Sequence, residues 1–171
     1  MADINTKFYN IFVKISGDDM EINAWELQDI LNNSLKSDLR GGMFTIESCK
    51  SMVALNDDDQ NGKLGFEEFK DLWWELIQWT QVFRRFDTDN SGTFSSPELR
   101  MAIGNMGHHI SSRTFDAITV YYADKQGQIN YDAFIGCVMK LKSMFNAFVK
   151  YREGNQAVLS LDELIRTNIY S

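Results

Sequence analysis

Apolar residues recur at three- and four-residue spacing through most of the chain, the signature of helices with one buried face. Phe8, Ile11, Phe12 and Ile15 form the first stripe, Leu27, Ile30 and Leu31 the second, and Ile46, Cys49, Met52 and Val53 the third. The longest stripe runs from Phe66 through Phe69, Leu72, Trp73, Leu76, Ile77, Thr80 and Phe83 to Phe86. It predicts one helix of about twenty residues, about 30 Å long. Further helices are predicted around Phe115, Ile118 and Tyr122, over Phe134, Val138, Leu141, Phe145 and Phe148, and from Leu161 to Ile169. Short acidic or glycine-containing breaks separate them: GDDMEIN, KSDLRGG, DDDQNGK, DTDNSGT, GNMGHH, DKQGQ and REGNQ. The alternation is itself a repeat, with similar units every ~30 to 45 residues. Five units fit the chain, and with no low-complexity linker between them they are expected to form one domain over 1–171.

Two of the breaks carry a specific chemistry. The segments 57–68 (DDDQNGKLGFEE) and 87–98 (DTDNSGTFSSPE) match the twelve-residue calcium loop of an EF-hand in every essential position. Calcium takes about six to eight oxygens, which one short loop delivers only if alternate residues point inward. Asp57, Asp59 and Asn61 supply side-chain oxygens in one loop, Asp87, Asp89 and Ser91 in the other. Gly62 and Gly92 are expected in the left-handed turn that follows, Lys63 and Thr93 lend backbone carbonyls, and Glu68 and Glu98 close each site with a long bidentate carboxylate. Leu64 and Phe94 are placed for short antiparallel bridges between neighbouring loops, and Pro97, the only proline, falls at the start of a helix where its missing N–H costs nothing. Short acidic runs are commonly solvated helix caps. Two full matches thirty residues apart, each flanked by amphipathic helices, outweigh that reading.

The other breaks are weaker. SGDDMEINAWEL has an aspartate turn leading into a helix, but its loop is one residue short and lacks the usual glycine, so by spacing alone it reads as a degraded site. YYADKQGQINYDAF keeps Gly127 and Ile129 for turn and bridge, yet Tyr122 and Ala133 stand where end carboxylates belong, so it is expected to be structural. In YREGNQAVLSLDEL, Arg152 occupies ligand ground, which argues against calcium. The fold expected is all-α, with five EF-hand units near 4–35, 45–76, 77–106, 112–140 and 142–171, about eight helices and short loop bridges.

Composition narrows the partners. Lys and Arg number 17 against 24 Asp and Glu, a net charge of −7, which disfavours nucleic acid and anionic membrane surfaces and suits cations or basic peptides. No apolar run approaches the ~18 residues of a membrane span, and MADINTKFYNIF lacks a signal-peptide pattern, so an intracellular, cytoplasmic protein is expected. Cys49 and Cys137 lie in helix-like surroundings and read as buried, reduced thiols rather than a disulfide.

The segments FYNIFVKISGDDMEINAWELQDILN, FTIESCKSMVALNDDD, GKLGFEEFKDLWWELIQW, INYDAFIGC and DELIRTNIYS together resemble the penta-EF-hand domains of calpains, the calcium-dependent cysteine proteases, and within them the C-terminal domain of a large subunit. The resemblance runs nearly end to end. It implies that the short first loop also holds Ca2+, through backbone carbonyls at Ser16 and Glu21, the carboxylate of Asp19 and a bidentate Glu26. A weak fourth-hand site of some calpains matches Gly42, Asn130 and Asp132, of which only Asp132 keeps its carboxylate. It further implies that the fifth hand pairs with another fifth hand, giving a homodimer or a heterodimer with the calpain small subunit. Phe145, Phe148, Val158, Leu161 and Leu164 would form that interface, although the same residues could complete the domain's own core. The family's catalytic cysteine motif and its histidine and asparagine partners are absent, and His108 and His109 sit in a glycine-flanked turn, so this chain is expected not to be an enzyme. An amphipathic inhibitor helix is a further partner consistent with the methionines and aromatics. The alternative is a stand-alone sensor of the sorcin type, although the Gly/Pro-rich extension common there is missing.

Overall fold

The computed structural model describes residues 4–35, 43–105, 107 and 110–169. Gly42, His108 and His109 lie outside them. Eight α-helices appear among the described residues: α1 Ile4–Ile15, α2 Ala24–Ser34, α3 Ile46–Asn56, α4 Phe66–Phe86, α5 Ser96–Asn105, α6 Ser112–Tyr122, α7 Tyr131–Lys150 and α8 Leu161–Ile169. Four two-residue strands join loops: β1 Thr93–Phe94 pairs antiparallel with β2 Ile129–Asn130, and β3 Arg152–Glu153 with β4 Gln156–Ala157.

Local chemistry sets the helix starts. Asn23 begins α2 with a reciprocal cap, its side chain accepting from the Trp25 and Glu26 amides while Glu26 accepts from the Asn23 amide. Thr45, Ser111 and Asn130 cap α3, α6 and α7 through their side-chain oxygens. The 21 residues of α4 match the helix dipole at both ends, with Glu67 and Glu68 in the first turn and Arg84 and Arg85 in the last.

Most of the predicted stripes meet in one cluster of buried residues, but Ile11 of the first stripe is 53% exposed and the described apolar residues of α8 stay outside the cluster. Phe12, Leu27, Leu31 and Met52 contribute from the first two hands, Phe69, Leu72, Leu76 and Phe83 from α4, and Phe94, Leu99, Phe115, Ile129 and Phe134 from the third and fourth. Phe8 stacks on Phe69 with ring centres 5.5 Å apart, which holds α1 against α4. Thr80 has a polar reason to lie in an apolar stripe. Its hydroxyl donates to the Leu76 carbonyl at 2.7 Å and stands 2.6 Å from the hydroxyl of fully buried Tyr131, tying α4 to α7.

The loop bridges pair the hands in twos. Leu64 exchanges backbone hydrogen bonds with Ile22, at 2.8 and 2.9 Å, joining the first and second loops. Phe94 pairs with Ile129, joining the third and fourth. The fifth loop has no such neighbour among the described residues, and closes on itself as the β3–β4 hairpin across Gly154 and Asn155.

Candidate metal centres

Each twelve-residue loop hangs between two helix ends. The second loop leaves α3 at Asp57 and enters α4 through Glu68, while the third leaves α4 at Asp87 and enters α5 through Glu98. In both, the first aspartate is held by amides across the turn. Asp57 accepts from the Asn61 and Gly62 amides at 3.0 and 2.7 Å, and Asp87 from the Ser91 and Gly92 amides at 2.9 and 3.0 Å. That wrap requires left-handed backbone. Gly62 and Gly92 have φ of 85° and 82°, and Gln60 and Asn90, two positions earlier, are also left-handed at 59° and 56°.

The closing glutamates reach back across their loops. Glu68 accepts from the Asp58 amide at 2.8 Å and the Gly65 amide at 2.8 Å. Glu98 accepts from both the amide and the hydroxyl of Thr88, at 2.9 and 2.7 Å, and from both the amide and the hydroxyl of Ser95, at 2.9 and 2.7 Å. Burial alone would raise the Glu98 carboxyl, but the hydrogen bonds from Ser95 and Thr88 outweigh it and bring it down to about 2.

These placements gather anions. Carboxylate oxygens of Asp57, Asp59 and Glu68 all lie within 4.8 Å of one another, and so do those of Asp87, Asp89 and Glu98. At such distances a pair of carboxylates repels by about 1 kcal/mol even in water. Loss of water, with the charges of Asp57 and Glu68, holds the Asp59 carboxyl above its ordinary range. The donor set is hard oxygen throughout, with a flexible loop and a bidentate carboxylate in reach, which fits Ca2+ and offers no sulfur or imidazole for softer metals. Asn61 and Ser91 stand in the same loops, the Ser91 hydroxyl donating to the Thr93 carbonyl at 2.9 Å.

The first loop is built differently. Its turn passes through left-handed Gly17 and Met20, with φ of 64° and 58°, so the chain finds its bend without the glycine expected at the usual position. Ser16 is 1% exposed, and its hydroxyl oxygen is buried without a hydrogen-bond partner. The Asp19 carboxylate is engaged by Lys63 of the second loop, 2.7 Å away, and is held below the usual range by that ammonium. Three acidic side chains do not converge here as they do in the next two hands among the described residues.

In the fourth loop, Asp124 turns onto its own chain, accepting from the Gln126 and Gln128 amides at 2.8 and 2.9 Å. Asn130 caps α7, and Asp132 is partly buried with its carboxyl raised by loss of water. Arg152 in the fifth loop donates to the Gly154 carbonyl at 2.7 Å. Of the expected interface residues, Phe145 packs against the core and Phe148 is half-buried, whereas Val158, Leu161 and Leu164 are 56%, 73% and 49% exposed. Val149 and Ile165 add to that exposed apolar set, and sequence reasoning missed them. Cys49 and Cys137 are free and buried, and burial pushes both thiols up to about 12, the protonated opposite of a catalytic nucleophile. No described helix is long and apolar enough to cross a membrane.

No protein-family model matches the chain. Among curated proteins it is 41% identical over 169 residues to calpain small subunit 1 of Mus musculus and 40% identical to that of Homo sapiens, in each case over 96% of this chain. The chain spans 63% of the length of these relatives. Among solved structures, a homologue of programmed cell death 6 protein from Leishmania major Friedlin superposes with a TM-score of 0.69 at 23% identity, covering 98% of this chain and 94% of that one.

Proposed function

We propose that the chain is a penta-EF-hand module with Ca2+ as its cofactor and, from that premise, that it is the calcium-binding regulatory and dimerisation domain of a calpain-type cysteine protease acting in the cytoplasm. The observation that carries the reading is the pair of acidic clusters, Asp57–Asp59–Glu68 and Asp87–Asp89–Glu98, at the two ends of one helix. Asn61 with the Lys63 carbonyl, and Ser91 with the Thr93 carbonyl, complete the second and third sites. The first site is formed by Ser16, Asp19, Glu21 and Glu26. Binding, not turnover, is the mechanism: the ion neutralises the loop carboxylates, fixes the angle between flanking helices and passes that shift to the protease core. The exposed apolar face of Val158, Leu161 and Leu164 supports dimerisation through the fifth hand.

The motif resemblance favours a large-subunit domain. The 41% identity to a small subunit supports a second reading, in which the chain is itself the small-subunit partner. Native mass spectra of metal-stripped protein titrated with calcium test the core of the proposal. Two or three ions per chain in a dimer are expected, and no ion at millimolar calcium refutes it. Mixing with isolated penta-EF-hand domains of a large and a small subunit separates the two readings: a large-subunit domain here prefers the small partner, and a small-subunit domain the large one.

A further inference from the structure

The first and second loops meet through charge as well as through the Ile22–Leu64 bridge. Lys63 stands at the seventh position of the second loop, beside the turn that carries Asp19 and Glu21. Its ammonium lies 2.7 Å from Asp19 Oδ2 and 3.3 Å from Glu21 Oε2. The other Glu21 oxygen accepts from Asn61 Nδ2 at 3.0 Å, and Asn61 Nδ2 also contacts Asp59 Oδ2 at 3.1 Å. A continuous polar path therefore runs from the acidic cluster of the second hand to the aspartate of the first.

Asp19 is one of only two side-chain carboxylates that the first hand brings to an ion in the reading above. A tethered cation already sits on it. We propose that Lys63 sets the calcium affinity of the first hand, its ammonium competing with the ion for Asp19 and lowering the affinity of this hand. The proposal rests on the first-hand site proposed above. As an exposed ion pair the contact adds little to stability, so its effect lies in ion binding. An ammonium and a divalent ion sharing one carboxylate are roughly 6 Å apart, and their repulsion in water lowers the binding constant about tenfold at low salt. Salt screens that penalty.

The test uses the full chain, stripped of metal, with calcium alone as the probe, followed by calorimetric titration and native mass spectrometry. Wild type, Lys63→Met and Lys63→Arg are compared, each with and without Glu26→Gln. Glu26→Gln is expected to remove one ion, which identifies the first-hand ion. Lys63→Met is expected to tighten that ion about tenfold at low salt, less at high salt, while Lys63→Arg keeps the wild-type constant. The proposal is overturned if Lys63→Met leaves that ion unchanged or weakens it, the latter meaning that the lysine merely orients Asp19. A gain that persists in the Lys63→Met/Glu26→Gln double variant also overturns it, by placing the effect in the second hand. An ion count unaffected by Glu26→Gln removes the first-hand site itself, and the role of Lys63 with it.

Discussion

Replacing Glu98 by glutamine separates what the last carboxylate of the third hand does without an ion from what it does with one. Glu98 receives four hydrogen bonds from Thr88 and Ser95 at 2.7 to 2.9 Å, and it is 5% exposed. Its carboxyl sits at about 2 instead of the ordinary 4.5. At about 1.4 kcal/mol per pH unit, that gap corresponds to about 3 kcal/mol of folding stability. The sign follows from the depressed value: the contribution is full above pH 4.5 and is lost as pH falls from there through about 2. Glutamine mimics the neutral acid and turns an NH2 toward donors. Glu98→Gln is therefore expected to lower stability at pH 7 in chelator by about 3 kcal/mol, read by urea unfolding followed by circular dichroism. Glu68→Gln, which loses acceptance from two amides only, is expected to cost about 1 kcal/mol. Equal costs for the two variants, or a Glu98→Gln cost below about 1 kcal/mol, would refute the reasoning. So would a wild-type stability in chelator that is flat between pH 5 and pH 2.

Three further outcomes are expected. Leu64 is fully buried at the bridge to Ile22, so Leu64→Ala should destabilise the chain by about 2 to 5 kcal/mol in urea titrations; a loss under about 1 kcal/mol would mean the site collapses around the cavity. Cys49 and Cys137, with thiols near 12, should stay unlabelled by a thiol reagent at pH 8 in the folded chain and react fully in denaturant. Leu164→Asp, on the exposed face of α8, should keep the helical circular dichroism while shifting sedimentation toward the monomer; an unchanged dimer would remove the fifth hand from the interface.

How much of this was readable from sequence depends on how many constraints each residue met at once. The second and third loops are legible because every slot has its own chemistry, and a chance match must satisfy all of them. The stripe from Phe66 to Phe86 is legible because nothing in it breaks a helical period, and the helix spans those residues. Thr80 looked like a neutral member of that stripe, since its partner Tyr131 is 51 residues away in sequence and no local pattern announces the pairing. Lys63 was assigned a carbonyl role, which says nothing about where a four-carbon side chain goes. Its contact with Asp19 depends on the Ile22–Leu64 pairing, a tertiary fact. The β3–β4 hairpin did carry a signal, the Gly154–Asn155 pair that favours a two-residue turn, which the reading of the fifth unit through Arg152 did not use.

The helices that link the hands explain why their loops should act together. α4 leaves the second loop at Glu68 and reaches the third at Asp87, so the last anion of one cluster lies in the first turn of a 21-residue helix and the first anion of the next is its C-cap. Phe69, Leu72, Leu76 and Phe83 bury the inner face of that helix along its length, packing it into the core. In the proposed mechanism, a pull on Glu68 that tilts the helix would displace Asp87. α7 repeats the arrangement between the fourth and fifth hands, running 20 residues from the β2 pairing to the hairpin. Tyr131 at its start contacts Thr80 of α4. In the proposed mechanism, a change of angle begun at an acidic loop would pass from α4 through the Thr80–Tyr131 contact to α7, which ends beside the exposed apolar residues of the fifth hand. The fourth loop pairs its strand with the third loop, and the fifth sits at the far end of the helix that this pairing positions.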